Sequence, residues 1–179
     1  MNEIVFRALV GDAVATVLSD PYVDLYLATR AEPPYNSGPL YRRERYLERT
    51  ARQVERDGFA AVCAEDGPTM VGFAFGLPLE GWWGGRATAC PPEVAEAGRL
   101  FAVIELNVRE DYRGRGVGGR LLEELLADQD ALYATLLANP AAPAHGMYLR
   151  RGWRVVGTVQ AAPDSMVSDA LVLDLAANR

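Results

Sequence analysis

The sequence predicts one mixed α/β domain over residues 1–179, a sheet of seven strands with helices on both faces. Three observations predict it. Half of the chain is hydrophobic, enough to build a sizeable core at a length suited to one domain. Strand-like and helical patterning follow one another as strand, two helices, three strands, helix, strand, helix, two strands. The chain holds no internal repeat and no run of about 18 apolar residues that would read as a membrane span.

Element by element, EIVFRALV has the composition of a strand, and from Asp12 to about Thr29 the pattern becomes helical. AEPPYNSGP breaks it with prolines and glycine. LYRRERYLERTARQVERDG reads as an arginine- and glutamate-rich helix, Leu40 to Arg56, stopped by Gly58. Its simplest reading is a solvated face laced with intrahelical ion pairs. FAAVCAED and TMVGFAFGLPLE, joined by the turn signal DGPT, read as a hairpin. Glu80 to Arg99 is a long connection with little periodicity, a kind of loop that is often functional. LFAVIELNV reads as a strand, and Gly116 to Ala127 as a helix with Leu121, Leu122, Leu125 and Leu126. ALYATLLAN, a short helix in PAAPAHGMYLRRG, WRVVGTV and DALVLDL complete the order.

Composition narrows the function. A net charge of −6 argues against non-specific nucleic-acid binding. All 18 basic residues are arginine, which excludes a lysine Schiff base, a lysine general base and a Walker-type phosphate lysine. Cys63 and Cys90 lack metal-ligand spacing, and Cys63 in an apolar run reads as a reduced, buried thiol. The opening MNEIVFRALVGDA has no basic segment followed by an apolar stretch, so a cytoplasmic protein without a secretory signal is expected.

The window RGRGVGGR, Arg113 to Arg120, places four glycines and three arginines between a strand and a helix. The first amides of a helix have no intrahelical partner, and the macrodipole adds positive charge there. Glycines let an anion approach that backbone closely. With Arg109 the window is the most basic of an acidic chain, which points to a phosphorylated ligand. Walker A is absent. Gly114, Gly116 and Gly119 match the dinucleotide spacing G-x-G-x-x-G, but REDY separates strand from loop and no acidic residue ends a following strand at the right distance.

RGRGVG, as Arg113-x-x-Gly116-x-Gly118 after ELNVREDY, resembles the acyl-CoA-binding signature of the GNAT acetyltransferase superfamily. LLANPAAPAHGMYLRRGWRVVG resembles a second segment of that family, with Tyr148 four residues before the Gly152-Trp153 pair. The resemblance covers roughly residues 100 to 160 and implies a mixed, mostly antiparallel sheet. It implies that the backbone of Arg113, Gly114, Arg115, Gly116, Val117, Gly118 and Gly119 binds the pyrophosphate of acetyl-CoA, with arginine side chains adding charge-assisted bonds. It further implies that Leu106, Asn107 and Val108 pair with the pantetheine arm, that Asn139 hydrogen-bonds it, and that Tyr148 protonates the departing thiolate. A phenol with a pKa of about 10 suits a leaving group of similar basicity.

Glu105 matches a position that serves some relatives as general base. The alternative is an acid on a solvated strand face, since alternation puts Val103, Glu105 and Asn107 on one side of AVIELNV and Ile104, Leu106 and Val108 on the other. His145, the only histidine, reads as an exposed residue at a helix start. Acceptor candidates from the same resemblance are Tyr22, Tyr26, Tyr35, Asn36 and the GWWGG segment with Trp82 and Trp83, near Glu80. The tryptophans fit a lid, a homodimer interface or plain burial. The implied activity is acetyl transfer from acetyl-CoA to a primary amine of a small molecule or a peptide N-terminus. The alternatives are a non-catalytic acyl-CoA-binding module and, by the glycine spacing, a dinucleotide binder.

Overall fold

The computed structural model describes residues 3–83, 90–160 and 163–177. The seven expected strands are present: β1 (Ile4–Leu9), β2 (Ala60–Asp66), β3 (Thr69–Leu79), β4 (Leu100–Val108), β5 (Tyr133–Ala138), β6 (Arg154–Val159) and β7 (Ser168–Asp174). They form a mixed sheet in the order β1-β2-β3-β4-β5-β7-β6. β2 pairs antiparallel with β1 and with β3, the latter as the expected hairpin. β4 and β5 are parallel over Leu100–Val103 and Tyr133–Leu136, and β7 runs antiparallel to both β5 and β6. No described helix is long and apolar enough to cross a membrane.

The helices differ from expectation in two places. The helical run expected from Asp12 to Thr29 is two elements, a 3-10 stretch over Gly11–Leu18 and then α1 (Asp20–Ala31). Ser19 separates them in an extended conformation, its N–H bonded to Thr16 O and its hydroxyl donating to the same carbonyl at 2.6 Å. Pro21 follows in the first turn of α1, where its missing N–H costs nothing. The connection expected to be irregular, Glu80 to Arg99, contains a short helix α3 (Pro92–Ala97), closed by Gly98 at φ 70°; residues 84–89 lie outside the described residues. The other helices are α2 (Arg43–Val54), α4 (Val117–Leu126) and α5 (Pro143–Arg150).

The chain divides into two compact units, one of residues 1–77 and 104–128, the other of residues 78–103 and 129–179. In the first, α1 and α2 bury Val17, Tyr22, Val23, Tyr26 and Tyr46 against Phe73 and Phe75 of β3. Tyr22 meets Phe73 with ring centroids 5.1 Å apart, and Tyr26 meets Tyr46 at 4.5 Å. Strand alternation turns Gly72 to the opposite face, where a Cβ would meet Leu121 Cδ1 of α4 at 3.0 Å. Helices therefore cover both faces of this part of the sheet. In the second unit Val94, Leu100 and Val172 form a core with Leu79, Trp82, Cys90, Tyr133 and Val156 around it.

Candidate functional site

In the first unit β4 ends at Val108, and Arg109 N–H still bonds Val71 O of β3 at 2.9 Å. A 3-10 turn over Glu110–Tyr112 then leads into the glycine loop. Gly114 and Gly116 adopt φ of 70° and 84°, the left-handed region that favours glycine, and a Cβ at either would meet nothing within 4 Å. Gly116 caps α4 without a side-chain hydrogen bond. The first intrahelical bond there runs from Arg120 N–H to Gly116 O at 3.0 Å, so the amides of Val117, Gly118 and Gly119 lie in the turn that has no intrahelical partner. The result is an open, positively polarised backbone edge.

The arginines of this loop are engaged elsewhere. Arg113 holds Glu32, just past α1, through Nη1–Oε2 at 2.5 Å and Nη2–Oε1 at 2.9 Å, and its Nε donates to Val108 O at 3.0 Å. The hydrogen bond raises the Arg113 pKa and lowers that of Glu32. Arg120 pairs with Glu124 at 2.6 Å and lies near Glu123, while Arg115 stands 5.4 Å over the Tyr112 ring. Arg113 thus latches the loop to the end of β4 and to the residue just past α1.

Gly118 has ordinary contacts, its hypothetical Cβ lying 3.6 Å from Val108 Cγ2 and 3.9 Å from Leu106 Cδ2. Gly118→Glu should therefore be accommodated, and an acid in the first turn favours a helix. A bound pyrophosphate would meet a fixed negative charge instead. The expected result is an unchanged or raised Tm with CoA affinity reduced roughly tenfold or more at low salt, read by calorimetry; undiminished affinity would make the loop a structural turn only.

Glu105 and Asn107 turn from β4 toward α1, whereas Leu106 and Val108 lie beside the first turn of α4. Ile104 departs from this alternation and packs on the Tyr/Phe cluster. The solvated-face reading of Glu105 is incorrect, because its side chain is 4% exposed. Both carboxylate oxygens are held, Oε2 by Arg30 Nη2 and Oε1 by Arg49 Nη2, each at 2.7 Å. Asn107 Nδ2 donates to Oε2 at 3.3 Å, and Asn107 Oδ1 accepts from Thr29 Oγ1 and Arg30 Nη1. Tyr26, Tyr35 and Tyr41 stand around the Arg30 guanidinium at 4.9, 4.7 and 5.9 Å, and Tyr26 and Tyr46 around that of Arg49 at 5.8 Å each. Burial raises the pKa of all four phenols, that of Tyr26 to about 12. Of the remaining acceptor candidates in this unit, Tyr22 is a core residue against Phe73, and Asn36 is an exposed turn residue at φ 48°.

The second unit carries the other candidates. Tyr148 on α5 is 7% exposed and meets Trp153 edge-on at 5.9 Å. Asn139 is buried, its Oδ1 accepting the Ala141 N–H at 2.9 Å, which turns the chain from β5 toward α5. His145 is not the exposed residue expected; Nε2 lies 2.8 Å from Asp169 Oδ2 and its side chain is 14% exposed. Trp82 packs on the Val94 cluster, and Trp83 Nε1 donates to Thr135 Oγ1 at 3.2 Å. Both indoles are half-buried and make these contacts within this unit.

Arg30, Arg49, Thr29, Glu32 and Asp169 were not singled out from the sequence. One signal for Arg49 existed: Tyr46, Arg49, Thr50 and Gln53 fall on one helical stripe of α2. Arg52 with Glu48 is the solvated ion pair expected of that helix, and Arg49 is not.

A family model described as the acetyltransferase (GNAT) family matches residues 22–153. Among solved structures, the chain is similar to an acetyltransferase from Thermus thermophilus at 17% identity and TM-score 0.64, covering 98% of this chain and 100% of that one. It is similar to the loading GNATL domain of CurA from Lyngbya majuscula at 13% identity and TM-score 0.66, with the same coverage. The PaiA N-acetyltransferase from Thermoplasma acidophilum, in complex with coenzyme A, is similar at 13% identity and TM-score 0.58, covering 96% and 99%. No curated protein matches significantly.

Proposed function

The chain belongs to the acetyltransferase (GNAT) family, and from that premise we propose that it is an N-acetyltransferase acting on a primary amine of a small molecule or peptide by direct attack in a ternary complex. The observation that carries the reading is the start of α4, where two left-handed glycines and three first-turn amides form an open anion cradle. Acetyl-CoA, the acyl donor the family uses, supplies an acetyl group already activated as a thioester.

In this reading the backbone of Arg113 to Gly119 holds the pyrophosphate, Leu106, Asn107 and Asn139 serve the pantetheine arm, and the Arg113–Glu32 pair fixes the loop. The Val108 carbonyl is already engaged by Arg113 Nε. Tyr148 gives its phenolic proton to the departing sulfur. Tyr26 and Tyr35 remain acceptor-side residues. Glu105 enters as the anchor of Arg30 and Arg49, since both of its carboxylate oxygens are already committed to guanidinium donors; the amine's proton leaves to solvent.

Calorimetry with CoA, acetyl-CoA and NAD, followed by thiol release across a panel of primary amines, tests the proposal. The expected outcome is binding of both CoA species and thiol release that requires an amine. Stabilisation by NAD alone would sink the reading. Acetyl-CoA binding without thiol release for any amine would make the protein a non-catalytic acyl-CoA-binding module.

A further inference from the structure

Around Glu105 two guanidiniums share one carboxylate. The phenols that surround them stay neutral, so the cluster of Arg30, Arg49 and Glu105 carries one positive charge in surplus. Glu105 and Arg30 are shielded from water, whereas the exposed part of Arg49 keeps that surplus within reach of an anion from solvent. The tyrosine faces compensate in part, but a ring face meets a guanidinium from above and leaves its in-plane N–H bonds unfilled. Arg30 sets Nη1 against Asn107 and Thr29 and Nη2 against Glu105. On Arg49, by contrast, the buried Nε has no hydrogen-bond partner among the described residues. The hydroxyl of Tyr26, a residue 0% exposed, also has none. Arg49 opposes the rise that burial gives the Tyr26 phenol, both by its charge and by a side-chain contact that falls short of proper hydrogen-bond geometry.

A surplus charge, a guanidinium edge and a phenol without a well-formed hydrogen bond therefore meet at the α1–α2 face of β4. The Arg49 side chain is 41% exposed, so the guanidinium that holds Glu105 also reaches the rim of the cluster. We propose that Arg49 and Tyr26 bind a carboxylate carried by the acceptor, so that the preferred acceptors are amines that also bear a carboxylate, the chemistry of amino acids. One surplus charge matches a monoanion better than a phosphate dianion. A guanidinium edge with an adjacent hydroxyl offers the planar donor set that a carboxylate accepts. The identity of the anion's carrier as the acceptor rests on the acetyl-transfer reading above.

The test uses calorimetry on the CoA-saturated protein with N-acetyl-amino acids, each beside its uncharged amide and its aminophosphonate analogue. The acids should bind roughly tenfold or more tightly than the amides, the scale of hydrogen bonds to a charged group. Tyr26→Phe should nearly hold Tm, because it deletes a buried hydroxyl that has no well-formed hydrogen bond, and yet reduce the preference for acid over amide. A merely structural Tyr26 would move both quantities together or neither. Arg49→Gln should abolish the preference, and Arg49→Lys should restore part of it. Equal affinity for acid and amide, no measurable binding of any acid, or tighter binding of the phosphonates would overturn the proposal. Acid preference without thiol release from any amine would overturn the acetyl-transfer reading and leave the anion site standing; thiol release without acid preference would do the reverse.

Discussion

Tyr148→Phe is expected to lower kcat by about 10²- to 10⁴-fold, the usual contribution of a positioned general acid, with little change in CoA affinity or Tm. The packing of the ring survives the substitution. The Tyr148 ring packs edge-on against Trp153 at 5.9 Å, and phenylalanine keeps that contact. The backbone is equally untouched, since Tyr148 O closes the helix by accepting N–H bonds from Arg151 and Trp153 at 2.9 and 3.2 Å. Only the hydroxyl is lost, and with it the proton that a basic thiolate needs on leaving. An interaction used only when the carbon–sulfur bond breaks lowers kcat and kcat/KM together and leaves substrate binding unchanged. Rapid thiol-release kinetics at saturating acetyl-CoA, beside calorimetry with CoA, read the two quantities apart. Turnover within twofold of the parent would remove Tyr148 from the chemistry.

The elements to which this chemistry is assigned are legible in the sequence because their signals are local. The glycine loop announces itself by backbone requirements within a few residues, and Gly114 and Gly116 do adopt the left-handed conformations that such a loop needs. Strand alternation correctly separated Glu105 and Asn107 from Leu106 and Val108. It could not name their neighbours: Arg30 and Arg49 lie 75 and 56 residues away along the chain. A buried ion cluster is made by tertiary packing, and nothing in the arginine-rich pattern of α2 marks Arg49 as different in charge from Arg52. Arg113 misled for the same reason, because the basic window suggested phosphate contacts while Glu32, 81 residues distant, holds the guanidinium. The α3 helix escaped notice because six residues are too few to display a period, although Pro92 and Gly98 bracket it with start and stop signals.

Replacing Glu105 with glutamine should destabilise the fold by about 3 kcal/mol, the lower end of the range for removing one partner of a buried ion pair, because Arg49 is partly exposed. For a chain of this size that corresponds to a fall in Tm of about 6–12 °C. The amide keeps the shape and one acceptor, so the loss reports the charge rather than a cavity. What remains would be two guanidiniums facing each other among four tyrosines with no anion between them. That predicts a change of sign. In the parent, Arg49→Gln removes a hydrogen bond to Glu105 and should cost stability; in the Glu105→Gln background it removes a repulsion and should restore part of what was lost. A double-mutant cycle read by thermal or chemical unfolding measures this coupling directly. If Glu105 were instead a lightly held base, the single substitution would leave Tm nearly unchanged and the two effects would simply add.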